Sequence, residues 1–360
     1  MKKILCILII GILSISIVSC SSNSGNNDNK DEKQILDARK KEIEEAEKLI
    51  SEYLETITAG SASSSDKYLT KEALSKKNIL NSDAPRIVGY KLNEIEHIGE
   101  NMAADVNIYE TSINKPYYGV LNMSYNIKKQ GDKYLIDSIS EKSSLGFFLD
   151  LEAEDKGFYV REVKTTNKEP IIKLSDIPNF MLIDTSVQPQ RKVSIDRNNL
   201  NHIAISSEGK HMLFTSANKG YNVLIIAERL FQASNLTAGG DGSGDSMRKE
   251  KEASVIEISA IDIYLDSTVE YVSLSPSGDS IITKVNSKDK NTFNIYSSYS
   301  KEPICKKIIE KFNSSEYNVV DGYYYDDDKL VLKVKNNQNN QEEAYEIDTK
   351  AEKIKKIDLK

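Results

Sequence analysis

The feature that most constrains the fold is a pattern that repeats in the second half of the chain. Three segments combine apolar alternation, a tight polar turn and a second apolar run: His202–Phe214, Tyr271–Ile282 and Gly322–Leu332. Their turns are centred on Gly209, Gly278 and Asp327, which lie 69 and 49 residues apart. The difference of 20 matches a polar, glycine-rich insertion in the first unit, Ala233–Glu252. The pattern predicts repeated β-hairpins with one mobile inserted loop.

A period of this size with four strands per unit is typical of a β-propeller. The Ser275-Pro276-Ser277-Gly278 turn is similar to the Ser-Pro-Asp-Gly turn of TolB-like and WD-type propeller blades, and the resemblance extends over about residues 201–354. The sequence Lys168–Ile171 is identical to Lys301–Ile304. We therefore predict that the residues from Phe158 onwards form the end of an earlier repeat unit. We therefore expect an all-β, propeller-like repeat domain of about four units at residues 158–360. A small ring, an open ring and a twisted sandwich remain alternatives.

The first half of the chain begins with a strong helical pattern. Apolar residues recur at three- and four-residue steps over Ile35–Ile57, which predicts an amphipathic helix. A shorter helical piece is expected near Tyr68–Lys77. After Pro85 the apolar period changes to two, and turn residues separate four predicted strands: Arg86–Ile98, Ala103–Ile113, Tyr117–Lys128 and Lys133–Ile139. One helix followed by an antiparallel meander indicates an α+β domain at residues 35–141.

This order of elements, with the closing strand Gly131–Ile139, resembles the nuclear-transport-factor-2-like superfamily. The resemblance implies a cone-like domain, in which a curved antiparallel sheet wraps around the helix. It also implies an interior that some members use for catalysis, so His97, Asp105 and Asp137 are candidate general bases. Simple alternation places Asp105 on the outward face, and we interpret the three residues as surface groups. Residues 142–157 are predicted to join this domain to the repeats.

The N-terminus carries the pattern of an export signal. Lys2 and Lys3 precede an apolar run, Ile4–Val18, of about 15 residues, which is shorter than the roughly 20 that a membrane-spanning helix requires. The run ends in Ile17-Val18-Ser19-Cys20, which resembles the lipobox of bacterial lipoproteins. The resemblance implies cleavage after residue 19 and a diacylglycerol on Cys20. An uncut membrane anchor and ordinary secretion are the alternatives, and the polar residues 20–34 are predicted to be a lipidated tether.

Charge and cysteine content narrow the classes of partner. The chain has a net charge of −7, which does not favour a nucleic-acid-binding role because such a role requires a basic face. Of its 3 cysteines, Cys6 would leave with the signal and Cys20 would carry lipid, so Cys305 would be a single thiol. The abundance of Lys, Ile and Asn resembles proteins of AT-rich Gram-positive bacteria. No internal disulfide is expected in the mature chain.

Further candidate sites have simpler interpretations. His202, His211 and Glu208 could form a sparse metal site if the histidines met across the first hairpin, but we interpret them as exposed strand residues. Asp326–Asp328 is interpreted as a turn, and Thr237–Asp245, which lacks the Gly-Lys-Ser/Thr of a phosphate-binding loop, as a loop. The sequence therefore predicts no catalytic residue, no cofactor and no metal.

These observations predict a lipoprotein held on the outer face of the cell membrane. Its contact with the membrane would be the diacylglyceryl group on Cys20. Its repeat domain would act as a binding or scaffold module for an envelope protein or polymer. The alternative is a small-ligand sensor or enzyme that uses the interior of the cone.

Overall fold

The computed structural model describes residues 28–58, 62–76, 85–112, 114–183, 191–229, 255–288 and 290–358. The chain divides into two compact units, residues 1–42 and 43–360. Of the first unit, the structure describes the beginning of helix α1, which extends over Asp28–Thr58. None of the described helices is long and apolar enough to cross a membrane. The features below belong to the second unit.

The described chain is mostly β-structure. Two short α-helices accompany α1 among the described residues, namely α2 (Lys71–Ser75) and α3 (Lys306–Phe312), and two 3-10 helices lie at Ala62–Tyr68 and Leu174–Asp176. The first eight strands are β1 (Arg86–Ile98), β2 (Asn101–Thr111), β3 (Tyr117–Gln130), β4 (Lys133–Asp150), β5 (Gly157–Glu162), β6 (Glu169–Lys173), β7 (Phe180–Ile183) and β8 (Arg191–Ser194).

The remaining strands correspond to the repeating hairpins. They are β9 (Leu200–Ile205), β10 (His211–Asn218), β11 (Tyr221–Arg229), β12 (Val255–Leu265), β13 (Ser267–Leu274), β14 (Ser280–Ser287), β15 (Lys290–Ser297), β16 (Tyr317–Tyr324), β17 (Lys329–Asn336), β18 (Glu342–Asp348) and β19 (Lys353–Ile357).

The strands of the described residues assemble into four sheets. The largest has ten strands in the order β19-β18-β17-β16-β1-β2-β3-β4-β5-β6. The strands β9–β12 form a second sheet, β13–β15 a third, and β7 and β8 a fourth. The first and last parts of the described β-structure therefore share one sheet, joined by the parallel pairing of β1 with β16.

The predicted cone is not observed, and the expected fold class is wrong in this respect. The helix and the four strands form where the periodicity predicted them, but the sheet does not close around the helix. On one side, β1 pairs with β16 of the last repeat. On the other, β4 continues to Asp150 and pairs with β5, so the strand includes much of the predicted junction. Because both edges acquire further strands, the sheet is extended instead of conical.

The ten-stranded sheet is buried on both faces. On one face, α1 contributes Ile50 and Leu54 to a core that contains Val106 of β2 and Tyr323 of β16. The opposite face contributes Tyr109 and other residues to the larger core formed with the repeats. The helix therefore packs on a sheet built from both ends of the β-structure. Burial of large apolar side chains on each face, at roughly 1.5–3 kcal/mol per side chain, stabilises this arrangement.

The repeated hairpins are observed, although the units do not form four separate blades. In the first two hairpins the turn has the same geometry: Gly209 N–H donates to the Ser206 carbonyl at 2.8 Å, and Gly278 N–H to the Ser275 carbonyl at 2.8 Å. Both glycines have positive φ, +67° and +82°, which is the reason that glycine stands there. The last unit lies within the ten-stranded sheet, as do β5 and β6, so the repeats share a sheet with the N-terminal meander.

The two Lys-Glu-Pro-Ile segments occupy equivalent places. Pro170 lies opposite Tyr159 of β5, and Pro303 lies opposite Tyr296 of β15. The first segment forms the edge strand β6, whereas the second makes a single bridge beside β15. Proline is tolerated at such edges because it need not donate a ladder hydrogen bond. The inserted residues 233–252 lie outside the described residues.

Candidate functional site

A β-bulge recurs in the first strand of each of the three repeats. The pairing register shifts at His202 of β9, at Glu270 of β13 and at Val320 of β16. These positions lie seven or eight residues before the turn residues Gly209, Gly278 and Asp327. Bulges change the direction of a side chain and are common beside functional sites. The first two bring their polar side chains to the same cavity.

His202 has the most unusual conformation of this group. Its φ is +44°, which is a left-handed conformation that is uncommon for residues other than glycine. Its ring lies near the backbone of Val269, while its Nδ1 is buried without a hydrogen-bond partner. Burial lowers the pKa of His202, and the backbone of Val269 opposes that shift. Burial therefore favours the neutral imidazole, in which one ring nitrogen can donate and the other can accept.

Glu270 is fixed by neighbouring side chains. Its carboxylate forms a 2.8 Å ion pair with Lys284 and accepts a 3.3 Å hydrogen bond from Asn286. The Lys284 side chain is 8% exposed, and its Nζ also donates to the Val320 carbonyl at 2.7 Å. The negative charge of Glu270 is thus balanced by a buried cation that the third bulge holds in place. This set of contacts orients the carboxylate before any ligand arrives.

The cavity between these groups has a volume of about 360 Å³. Volumes in this range are typical of small-molecule sites, which are about 300–1,000 Å³. Its walls come from the turn between β2 and β3, from β9 and from the β13–β14 hairpin. The lining is mainly polar and consists of Asn114, Lys115, Asn201, His202, Thr268, Val269, Glu270 and Asn286.

A second cavity, of about 330 Å³, lies at the third hairpin turn. It is lined by Asp326–Asp328, Asp348 and two lysines. Asp327 forms a 2.6 Å ion pair with Lys91 of β1, and burial raises the pKa of Asp328. Among the described residues, no group of three or more His, Cys, Asp or Glu side chains could hold a metal ion. The geometry of this cavity therefore offers acidic side chains at a turn, without a set of metal ligands.

The three candidate bases of the predicted cone lie apart from both cavities. His97 is exposed near the end of β1. Asp105 forms an ion pair with Lys142, and Asp137 accepts a 3.1 Å hydrogen bond from Thr70. The side of the sheet that faces α1 is filled by aromatic and aliphatic side chains, such as Tyr53 and Tyr125, whose rings lie 5.8 Å apart.

The structure does not bring His202 and His211 together. His202 faces Phe214 and Thr215 at the far end of the hairpin, whereas His211 begins β10 beside the turn. The interpretation of both as exposed was wrong, because His202 is half-buried and His211 is 5% exposed. His211 packs edge-on against the ring of Tyr299, at 5.3 Å between centroids. Glu208, which was considered as a third metal ligand, pairs with Lys210.

Cys305 is buried at the start of α3. Burial raises the pKa of its thiol to about 12, and the nearby carboxylates of Glu352 and Asp348 act in the same direction. A thiol that is protonated at neutral pH is a poor nucleophile. Cys20 and the Thr237–Asp245 segment lie outside the described residues.

Sequence reasoning missed most of the cavity. Asn114 and Lys115 were recognised as turn residues, but the element that they contact lies far away in the chain. The cavity also contains three polar residues from strand-like segments, Asn201, Glu270 and Asn286. They come together because of β-bulges, which the alternation of apolar and polar residues in the sequence does not reveal. The position of His202 within a predicted strand can be read from the sequence and was a usable signal for the cavity. Its positive φ is visible only in the folded structure.

No family model matches the chain, and no curated protein matches it. Among solved structures, it is similar to TolB from Acinetobacter baumannii, with a TM-score of 0.33 and 9% identity over 74% of this chain and 56% of that one. Putative TolB from Agrobacterium tumefaciens gives a TM-score of 0.32 and 9% identity over 70% of this chain and 83% of that one. Oligopeptidase B from Trypanosoma brucei gives a TM-score of 0.32 and 10% identity over 73% of this chain and 42% of that one. These similarities are too distant to assign the chain to a family.

Proposed function

We propose that this protein is a membrane-anchored, extracytoplasmic binding module whose ligand site is the cavity around His202. The observation that carries the proposal is the convergence of two bulged strands and the Asn114–Lys115 turn on one polar cavity. Strain at His202 and an unpaired buried Nδ1 both cost free energy, about 1–3 kcal/mol each. Such costs are common at sites that are organised for a ligand.

The proposed location rests on the sequence. The apolar run Ile4–Val18 and the tetrad ending in Cys20 support export, cleavage before Cys20 and attachment of diacylglycerol. Two acyl chains give stable membrane attachment, whereas one gives marginal binding. The tether at residues 20–34 would then present the module to envelope components at the outer face of the membrane. An envelope protein or polymer is the proposed partner.

The proposal is tested by thermal unfolding in the presence of fractionated small molecules from envelope extracts. A ligand that binds only the native state raises the melting temperature, and the rise increases with the logarithm of the ligand concentration above its Kd. We expect at least one fraction to raise the melting temperature of the full-length chain and to leave that of His202→Asn unchanged. Asparagine tolerates positive φ, so this variant keeps the bulge while it removes the imidazole.

His211→Asn is the matched control, because it removes a buried histidine that lies outside the cavity. This control should respond to the same fraction as the parent. A response that is equal in the parent and in His202→Asn, or no response to any fraction, contradicts the proposed site.

A further inference from the structure

The chemistry of the cavity wall restricts the class of ligand. Three carboxamides line it, from Asn114, Asn201 and Asn286. Each carboxamide offers both donors and an acceptor, and the hydroxyl of Thr268 does the same. The best complement to such a wall is a ligand whose own groups both donate and accept, and hydroxyl groups have this property.

The charges around the cavity do not favour an ion. Lys115 is its single cationic lining residue, and the ammonium lies 5.5 Å from the centre of the Tyr117 ring. Glu270 is its single anionic lining residue and is already paired with the buried Lys284. Because the charge of Glu270 is balanced by Lys284, a cation would find no free carboxylate, and an anion would find one cationic side chain, Lys115, on an exposed turn. A neutral ligand needs neither charge and can use the carboxamides of the wall.

His202 adds an acceptor to this wall. Its ring lines the cavity, and its buried Nδ1 has no hydrogen-bond partner. Nδ1 is closed to solvent in this structure, so a ligand group can donate to it only after the ring turns toward the cavity, and that bond would remove the cost of an unsatisfied buried acceptor. A phosphate or carboxylate ester oxygen cannot donate in this way, whereas a hydroxyl can.

We propose that the cavity binds a neutral, hydroxyl-rich ligand of the saccharide or polyol class, with Asn114, Asn286 and His202 as hydrogen-bonding residues. This inference rests on the proposed function, because it names the class of ligand for the same site. Glu270, held by Lys284, would accept a further hydroxyl proton in a hydrogen bond. The volume of about 360 Å³ limits the buried part of the ligand to one or two sugar rings.

The test is isothermal titration calorimetry on the full-length chain in a detergent whose head group contains no sugar. The probes are glucose, N-acetylglucosamine, cellobiose and myo-inositol, with inorganic phosphate and calcium chloride as the charged comparisons. We expect saturable binding of at least one neutral probe at one site per chain. Removal of one hydrogen-bonding group should weaken that binding about five- to tenfold.

The variants for this test are Asn114→Ala, whose side chain is exposed on a turn, and His202→Asn. Asn339→Ala is the control, because it removes an exposed asparagine from the β17–β18 connection, outside the cavity. We expect weaker binding in the first two variants and unchanged binding in the control. Equal binding in all of them would place the saccharide elsewhere and overturn the inference.

Two further results separate this inference from the proposed function. Binding of phosphate or calcium, without binding of any neutral probe, overturns the inference on ligand class. The inference on ligand class is also overturned if no neutral probe binds in the calorimeter while an envelope fraction still raises the melting temperature of the parent but not that of His202→Asn. In the second case the cavity remains a binding site, because the stabilisation depends on His202. If no envelope fraction stabilises the parent, the proposed function fails independently.

Discussion

Gly89 of β1 lies in parallel register with Tyr324 of β16, and a Cβ atom on Gly89 would lie 3.2 Å from the Tyr324 carbonyl oxygen. Tyr324 is fully buried, and its hydroxyl lies 2.8 Å from the Ser280 hydroxyl of the neighbouring sheet. The contact between Gly89 and Tyr324 therefore joins the N-terminal meander, the last repeat and the second repeat. The close approach depends on the absence of a side chain at residue 89.

Gly89→Val tests this contact. A valine side chain would press against backbone and against the buried Tyr324, so we expect a loss of about 1–3 kcal/mol in the free energy of unfolding. Urea denaturation of the variant beside the parent measures the effect. Gly146→Val is the control, because its nearest neighbour, at 3.2 Å, is the ring of Tyr117, a side chain that can move. An equal loss in both variants would contradict a specific role for the strand pairing.

The stability of the protein should fall as the pH falls below about 6.5, the ordinary pKa of histidine. Burial lowers the pKa of His202 in the folded state, so the unfolded state binds the proton more readily. This contribution to stability is present above pH 6.5 and is lost on acidification. We therefore expect the urea midpoint to fall less between pH 7.5 and pH 5.5 in His202→Asn than in the parent. Asn339→Ala, which removes no titratable group, should behave like the parent, and the same fall in all three chains would refute this explanation.

Deletion of residues 233–252 should have little effect on stability. Arg229 of β11 pairs with Val255 of β12, so residues 230–232 and 253–254 would remain to connect two adjacent antiparallel strands. Connections of about two to five residues are common between such strands. We expect the free energy of unfolding to stay within about 1 kcal/mol of the parent value, by chemical denaturation. A loss of several kcal/mol would show that the deleted residues belong to the core.

Lipidation is tested by Cys20→Ser. The substitution removes the thiol that would receive diacylglycerol, so the protein should no longer incorporate a fatty-acid probe or remain in the membrane fraction. Cys305→Ser is the matched control and should retain both properties. Membrane retention and probe incorporation in Cys20→Ser would contradict the proposed anchor.

The boundary at residues 142–157 stays a prediction, and a fragment of residues 35–141 tests it. We expect this fragment to unfold cooperatively but at lower denaturant concentration than the full chain. The reason for the lower stability is that Tyr323 and Val331 of the last repeat, which belong to the same core as α1, are missing. A fragment without a cooperative transition would contradict an independent domain.

The sequence by itself determined the local elements. Alternation placed β1 at Arg86–Ile98, and the helical period placed the apolar face that α1 buries through Ile50 and Leu54. The positive φ of Gly209 and Gly278 follows from their place in tight turns. These features depend on residues that are close together in the chain, so they can be predicted from the sequence without knowledge of the fold.

The tertiary structure decided how these elements combine. The pairing of Gly89 with Tyr324 replaced the predicted cone by a shared sheet, and the bulges at His202 and Glu270 created the polar cavity. The strands that pair in a sheet are selected by side-chain packing on both faces of the sheet. The entropy lost when two strands are brought together changes slowly with the number of residues between them. Strand periodicity is the same for many possible partners, so it fixes which residues share a face but not which strand lies beside them.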